Sequence, residues 1–146
     1  VTWVGKQRVE TKLTRPREVN PIRISAGALG NGLPKKILEV SPDHALEFDG
    51  ILINAGALVN DTTIYQVAEM PKDGFTYYHI ETEAHELLLA EGVPAESFID
   101  YAGRDSFENG DEATGHIAEM PLLRISSTRL VPDEIKTRLA GKTIAA

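Results

Sequence analysis

The chain has 146 residues, 42% of them hydrophobic and 25% charged, with a formal charge of −7. That is one domain's worth of ordinary globular chain; its acidic balance opposes nonspecific nucleic-acid binding, and no apolar run is long enough to span a membrane. There is no cysteine, so disulfides, thiolate metal sites and thiol nucleophiles supplied by these residues are excluded, and cysteine usage does not report the compartment.

The sequence begins at Val1 without an initiator methionine or a signal-peptide pattern, and reads as a fragment, a processed product or a trimmed piece. Thr2-Trp3-Val4-Gly5 reads as the end of a strand that began upstream, and Gln7 to Leu13 as strand or short helix. Asn20-Pro21 argues against helix, and Pro21 to Ala26 alternates as a half-buried strand does. Gly27 to Pro34, with three glycines, is a loop, and Ile37 to Val40 is a strand leading into the polar corner Ser41-Pro42-Asp43-His44. Asp49-Gly50 then signals a two-residue hairpin turn between Ala45–Phe48 and Ile51–Ala55, because a type I′ turn needs positive φ at both central positions.

Thr62 to Ala68 reads as a further strand and Pro71 to Gly74 as a turn. Phe75 to Glu81 is an aromatic-rich strand and Glu86 to Ala90 another, joined through Thr82 to His85; Glu91-Gly92-Val93-Pro94 turns the chain toward Ala95 to Ile99. Gly103 to Gly115 is acidic and glycine-bearing, a surface or mobile segment. Pro132-Asp133-Glu134-Ile135 starts the best helix candidate, with Gly141 after its basic end. Short strands at regular spacing and few helical periods make the fold mainly β.

Four histidines are the natural candidates for chemistry, since their unperturbed pKa lies near neutrality. His44 sits in front of a rigid strand pair, with Ser41 three residues before it; the same residues also suit a plain polar turn, because serine and aspartate bond their own backbone. His79 and His85, with His44 or His116, admit a metal reading, but their spacing fits no compact motif. A Ser41–His44 hydrolase would need an elbow and an oxyanion hole, and no Gly-x-Ser-x-Gly surrounds Ser41.

Two segments resemble a known family. Val40-Ser41-Pro42-Asp43-His44-Ala45-Leu46 is similar to the Thr-x-x-His block of Hedgehog/intein (Hint) domains, with Ser41 in the threonine place. Tyr77 to Glu81 together with His85 to Val93 is similar to the family's late block: a Tyr-containing strand, a turn with histidine, then an apolar strand closing on a Gly turn. Asn20 to Ile24, Leu29 to Pro34 and Pro94 to Phe98 resemble the linking text of the bacterial subgroup called Hint_2. The resemblance covers roughly residues 1–107, which leaves 108–146 as an acidic loop and a C-terminal extension with a short helix.

The resemblance implies an all-β, pseudo-two-fold horseshoe of short strands and hairpins with autoproteolytic chemistry. An N-terminal cysteine or serine attacks the preceding carbonyl, and the block histidine helps the amide nitrogen leave. Carried over, His44 is the proton-transfer group, Ser41 its supporting hydroxyl and His85 an accessory group; His79 falls where inteins often carry aspartate. No cofactor and no metal are implied. The substrate is the domain's own N-terminal flanking polypeptide, with water or an external nucleophile as acyl acceptor. Nucleic acid and membrane are not expected partners, and no oligomeric state is implied.

Two departures shape that expectation. The nucleophile segment should lie a few dozen residues before Trp3, so these residues alone do not complete the acyl shift. Inteins end in His-Asn, whereas the corresponding place here reads Ala95-Glu96-Ser97. Cleavage of the Hedgehog type is therefore expected, rather than asparagine-driven splicing. The alternative is a noncatalytic Hint-like binding or structural module of a secreted or surface bacterial protein.

Overall fold

The computed structural model describes residues 1, 3–97 and 120–139. Asp49 and Gly50 both adopt positive φ (51° and 84°), as the turn chemistry requires. They join β4 (Ala45–Phe48) to β5 (Ile51–Asn54) with Phe48 opposite Ile51 and Ala45 opposite Asn54. Glu91 and Gly92 repeat the device at φ 49° and 84°, joining β8 (Leu87–Ala90) to β9 (Val93–Glu96). The two hairpins lie side by side because β4 also pairs with β9, through Leu46 opposite Ala95.

Strand β9 is absent from the sequence expectation, since Pro94 lacks an N–H and argues against a strand interior. The fold accommodates it because β9 pairs with β4 at a single register position, while Pro94 faces Leu89 of β8. A fifth strand, β10 (Leu123–Ile125), was equally unexpected; it adds to β5 in parallel, Arg124 opposite Leu52. The sheet order is thus β10-β5-β4-β9-β8.

Two smaller sheets complete the β structure among the described residues. Strands β2 (Ile22–Ile24), β3 (Leu38–Val40) and β6 (Ile64–Gln66) form one, in the order β3-β2-β6. Before β2, residues Thr11–Leu13 make a 3₁₀ turn and Pro16–Val19 a single helical turn, α1, which ends before the Asn20-Pro21 pair that opposes helix. The third sheet pairs β1 (Trp3–Val9) with β7 (Phe75–Glu81) over seven residues, from Trp3 opposite Glu81 to Val9 opposite Phe75.

One apolar cluster joins the five-stranded sheet to the three-stranded one. Ile22, Ile24, Leu46, Phe48, Ile53, Ile64, Val93 and Ala95 meet Ile125, Val131, Ile135 and Leu139. The last two lie on α2 (Asp133–Leu139), four residues apart on one face, as the helix period demands. Pro132, Asp133 and Glu134 open that helix where the sequence placed its start; Gly141 and the Gly103–Gly115 segment lie outside the described residues. The architecture is mostly β, in several small sheets, with a short C-terminal helix.

Gly74 sets the end of the β1–β7 ribbon. Its φ is +98°, and a Cβ there would stand 2.5 Å from the Val9 carbonyl oxygen. Gly74→Ala therefore meets both an unfavourable backbone region and a backbone clash. A loss of about 2 kcal/mol is expected, read as a lower urea midpoint; an unchanged midpoint would mean that the ribbon's end is not fixed in this way.

Candidate active site around His44 and Glu96

The Ser41–His44 corner is clamped by backbone bonds. His44 N–H donates to the Ser41 carbonyl (3.1 Å), Ala55 N–H to the His44 carbonyl (2.9 Å) and Gly56 N–H to the Pro42 carbonyl (2.8 Å). Residue 56 needs to be small, since a Cβ would come within 3.3 Å of that Pro42 oxygen. The corner thus rests on the 3₁₀ turn Ala55–Leu58 that follows β5, and β4 carries the chain away from it. Rigid elements on both sides fix where the His44 ring emerges.

That ring reaches across to β9. His44 Nε2 lies 3.0 Å from the Glu96 carbonyl oxygen. A carbonyl only accepts, so Nε2 carries the hydrogen. Burial pushes the His44 pKa below its ordinary value, against the pull of the Glu96 carboxylate. The neutral ring therefore keeps its lone pair on Nδ1.

Glu96 is the hub. Its Oε2 accepts from the Ala45 N–H (2.6 Å) and from Arg124 Nη1 (2.9 Å); its Oε1 accepts from Arg124 Nη2 (2.5 Å) and His85 Nε2 (2.9 Å). Burial works against the ionised carboxyl, but the Arg124 fork and the Ala45 N–H outweigh it and hold the group below the usual carboxylate range. Arg124 is itself held by Asn54 Oδ1 at 2.9 Å.

His85 has a fully buried side chain with both nitrogens engaged. Its Nδ1 accepts from the Met120 N–H at 2.9 Å, so Nε2 bears the hydrogen given to Glu96. No lone pair remains for a substrate proton or a metal; His85 orients the carboxylate. Ser97, just after β9, is also buried and ties the β7–β8 connection to the end of β9, accepting from Glu86 N–H at 3.0 Å.

His79 projects from β7 against His44, the rings stacked with centroids 6.1 Å apart and 21° between planes. Burial first, then the proximity of His44, bring its pKa down to about 4. Tyr77 meets His79 edge-on at 6.4 Å, and its hydroxyl donates to the Val19 carbonyl. That anchors β7 on the end of α1.

The structure thus brings His44, His79 and His85 together around Glu96. Ser41 stands at the start of the corner, but among the described residues its hydroxyl makes no hydrogen bond to any of them. His116 lies outside the described residues. Among the described residues no group of three or more His, Asp or Glu is arranged to hold a metal ion.

Two members were not singled out from sequence. Glu96 closes the short run Val93-Pro94-Ala95-Glu96, where an acid after apolar residues marks a strand end more often than a hub. Arg124 lies within Leu122-Leu123-Arg124-Ile125, a pattern too short to name a partner. The legible hints are the place of Glu96 where inteins end in His-Asn and the charge of Arg124 inside an apolar run.

The arrangement can move a proton. Neutral His44 offers Nδ1 as an acceptor, and once charged in a buried setting it is a strong donor. Neutral burial also carries a pH signature. The unfolded chain binds more protons than the folded one below the ordinary histidine pKa, so stability is complete above about pH 6.5 and falls as pH drops toward 4. His79 alone contributes a loss of about 3 kcal/mol over that window; His44 acts in the same direction, and Glu96 extends the loss to lower pH. Urea midpoints measured at pH 7, 5.5 and 4.5 should decline steadily. A flat profile would show that these histidines are not buried neutral.

Comparison with known proteins adds the family. No match was found among curated proteins or among solved structures. A family model described as the Hint domain, Hint_2, matches residues 1–102. That span carries the Ser41–His44 corner, both late histidines and Glu96, and it ends before β10. With well over half of its length so matched, and with the several small β-sheets found here, the chain belongs to the Hint domain family.

Proposed function

We propose that the chain carries the proton-transfer part of a self-processing site that cleaves the peptide bond at the domain's own N-terminal boundary. The observation that supports this most is the His44 ring, neutral, with Nε2–H tied to the Glu96 carbonyl and Nδ1 left as a lone pair. A cysteine or serine upstream of Val1 attacks the preceding carbonyl, and its proton passes to His44 Nδ1. The C–N bond breaks as that proton is handed to the departing amide nitrogen, leaving a thioester or ester. Water or another nucleophile then releases the acyl group. No cofactor enters the balance.

The environment favours N-terminal cleavage over splicing. Where inteins carry an asparagine that cyclises, this chain has Glu96-Ser97. The Glu96 carboxylate is ionised and committed to His85, Arg124 and Ala45, and Ser97 is buried just past the end of β9. Neither offers an amide nitrogen that could release a C-terminal segment.

The test is intact-mass measurement on a longer polypeptide that includes the residues upstream of Val1. Two products summing to the precursor plus one water are expected, with faster release when a small thiol is added. One observation favours a second reading, a noncatalytic Hint-like module of a secreted or surface protein: the Ser41 hydroxyl makes no hydrogen bond to His44 among the described residues. On that reading the longer polypeptide folds and stays uncleaved even with thiol.

A further inference from the structure

Residues beyond the family match reach into the site. The matched span ends at residue 102, yet β10 supplies Arg124, whose guanidinium grips Glu96 with two parallel bonds, Nη1 to Oε2 at 2.9 Å and Nη2 to Oε1 at 2.5 Å. We propose that Arg124 is a positioning residue for His44, acting through Glu96, so that the segment holding β10 and α2 is part of the catalytic unit rather than an appendage. The catalytic purpose rests on the self-processing reading above; the positioning itself does not.

The geometry gives the route. A fork-to-fork pair fixes the plane of the carboxylate, not just its location. With that plane fixed, Oε2 meets the Ala45 N–H and Oε1 meets His85 Nε2. Ala45 adjoins His44 in the chain, and the Glu96 backbone carbonyl takes the His44 ring hydrogen. One residue therefore holds His44 through its neighbour's backbone and through its ring, and Arg124 sets the pose of that residue. Arg124 is placed in turn by the parallel β10–β5 pairing and by Asn54 Oδ1, where Asn54 is the register partner of Ala45. Ile125, Val131, Ile135 and Leu139 bury β10 and α2 in the shared core, which keeps the guanidinium in place.

Charge acts in the same sense. The groups facing His44 are Glu96 on β9, Arg124 on β10, His79 on β7 and His85 in the β7–β8 connection. Without the guanidinium, the carboxylate stands uncompensated and favours a protonated His44. The neutral ring with its free Nδ1 lone pair would then be less populated near neutrality.

The test is side-chain ¹⁵N NMR of the histidines in the 146-residue chain, with a thermal melt beside each titration, for wild type, Arg124→Met and Arg124→Lys. Wild-type His44 should be the neutral Nε2–H tautomer at pH 7. In Arg124→Met its titration midpoint should rise by about one pH unit, and the two tautomers should mix. Lysine keeps the charge without the fork, so Arg124→Lys should return the midpoint toward wild type while the tautomers stay mixed. A purely structural arginine would lower the melting temperature and leave the His44 midpoint and tautomer unchanged in both variants, which would overturn the proposal. If the methionine variant does not fold, Arg124→Lys decides: an unchanged His44 spectrum rejects the positioning role. Absence of cleavage in the upstream-extended polypeptide would end the self-processing reading and leave this NMR result standing on its own.

Discussion

His44→Ala in a polypeptide extended upstream of Val1 should stop self-cleavage, with a rate at least about 10²-fold lower and a folded precursor that accumulates. The size follows from the double duty proposed for the ring, namely to accept the nucleophile's proton and return it to the leaving nitrogen. Loss of either transfer stalls the acyl shift. The cost to the fold should be small by comparison. The backbone bonds of the corner do not involve the imidazole, and the ring's own hydrogen bond to the Glu96 carbonyl is worth about 1 kcal/mol. Intact mass against time reads the first effect, and a thermal melt of the same sample reads the second. Equal cleavage by wild type and His44→Ala would remove His44 from the mechanism. The His85→Ala variant should behave in the opposite way. It leaves a buried Glu96 lone pair and the Met120 N–H without a partner, so its main effect is on stability, and any slowing of cleavage follows from that.

Glu96→Ala is expected to cause the largest loss of stability, about 3–5 kcal/mol. The substitution strands three partners at once: a mostly buried guanidinium, the His85 Nε2–H and the Ala45 N–H. Each was removed from water on folding and loses Glu96 as an acceptor, and Arg124 keeps Asn54 Oδ1 but loses its counter-charge, which costs more than the attraction Glu96 had supplied. For a domain of this length the melting temperature should fall by roughly 10 °C or more. Glu96→Gln keeps one acceptor oxygen and should fall between. Combining Glu96→Ala with Arg124→Met should cost clearly less than the sum of the two, because the second change removes the charge that the first left stranded. Urea denaturation of the four proteins gives that coupling directly. Additive losses would mean that the fork seen between Arg124 and Glu96 carries no energy.

Much of the local structure was legible because its chemistry is local. Asp49-Gly50 is readable as a turn from two residues, since few others accept positive φ twice in succession. Phe75 to Glu81 is rich in the aromatic residues that favour strands, and Pro132-Asp133-Glu134 opens a helix with a residue that needs no N–H partner and acids that meet the positive helix end. The family was legible for a similar reason, because the Ser41–His44 corner and the Tyr77–Val93 block are each short and contiguous. What the residues alone left open was which histidine does what. His44, His79 and His85 are the same side chain in similar strand-and-turn settings, and their roles diverge only through their partners. His85 is fixed as an orienting group by Glu96 on one side and Met120 on the other, whereas His44 keeps one nitrogen for chemistry.

Those partners come from distant parts of the chain. Glu96 and Arg124 are 28 residues apart, and nothing in the composition or periodicity of either run announces the other. Strand β9 was hidden by Pro94, and β10 by being three residues long with a charge at its centre. Their pairing depends on an edge of β5 left open by the Asp49-Gly50 hairpin and on core space filled by α2. The turns, most of the strands, the helix start and the family are written in neighbouring residues and so can be read without the fold. The tautomers, the burial that keeps His44 and His79 neutral, and the Arg124–Glu96 hub come from the folded arrangement, because each depends on contacts between segments that carry no shared pattern.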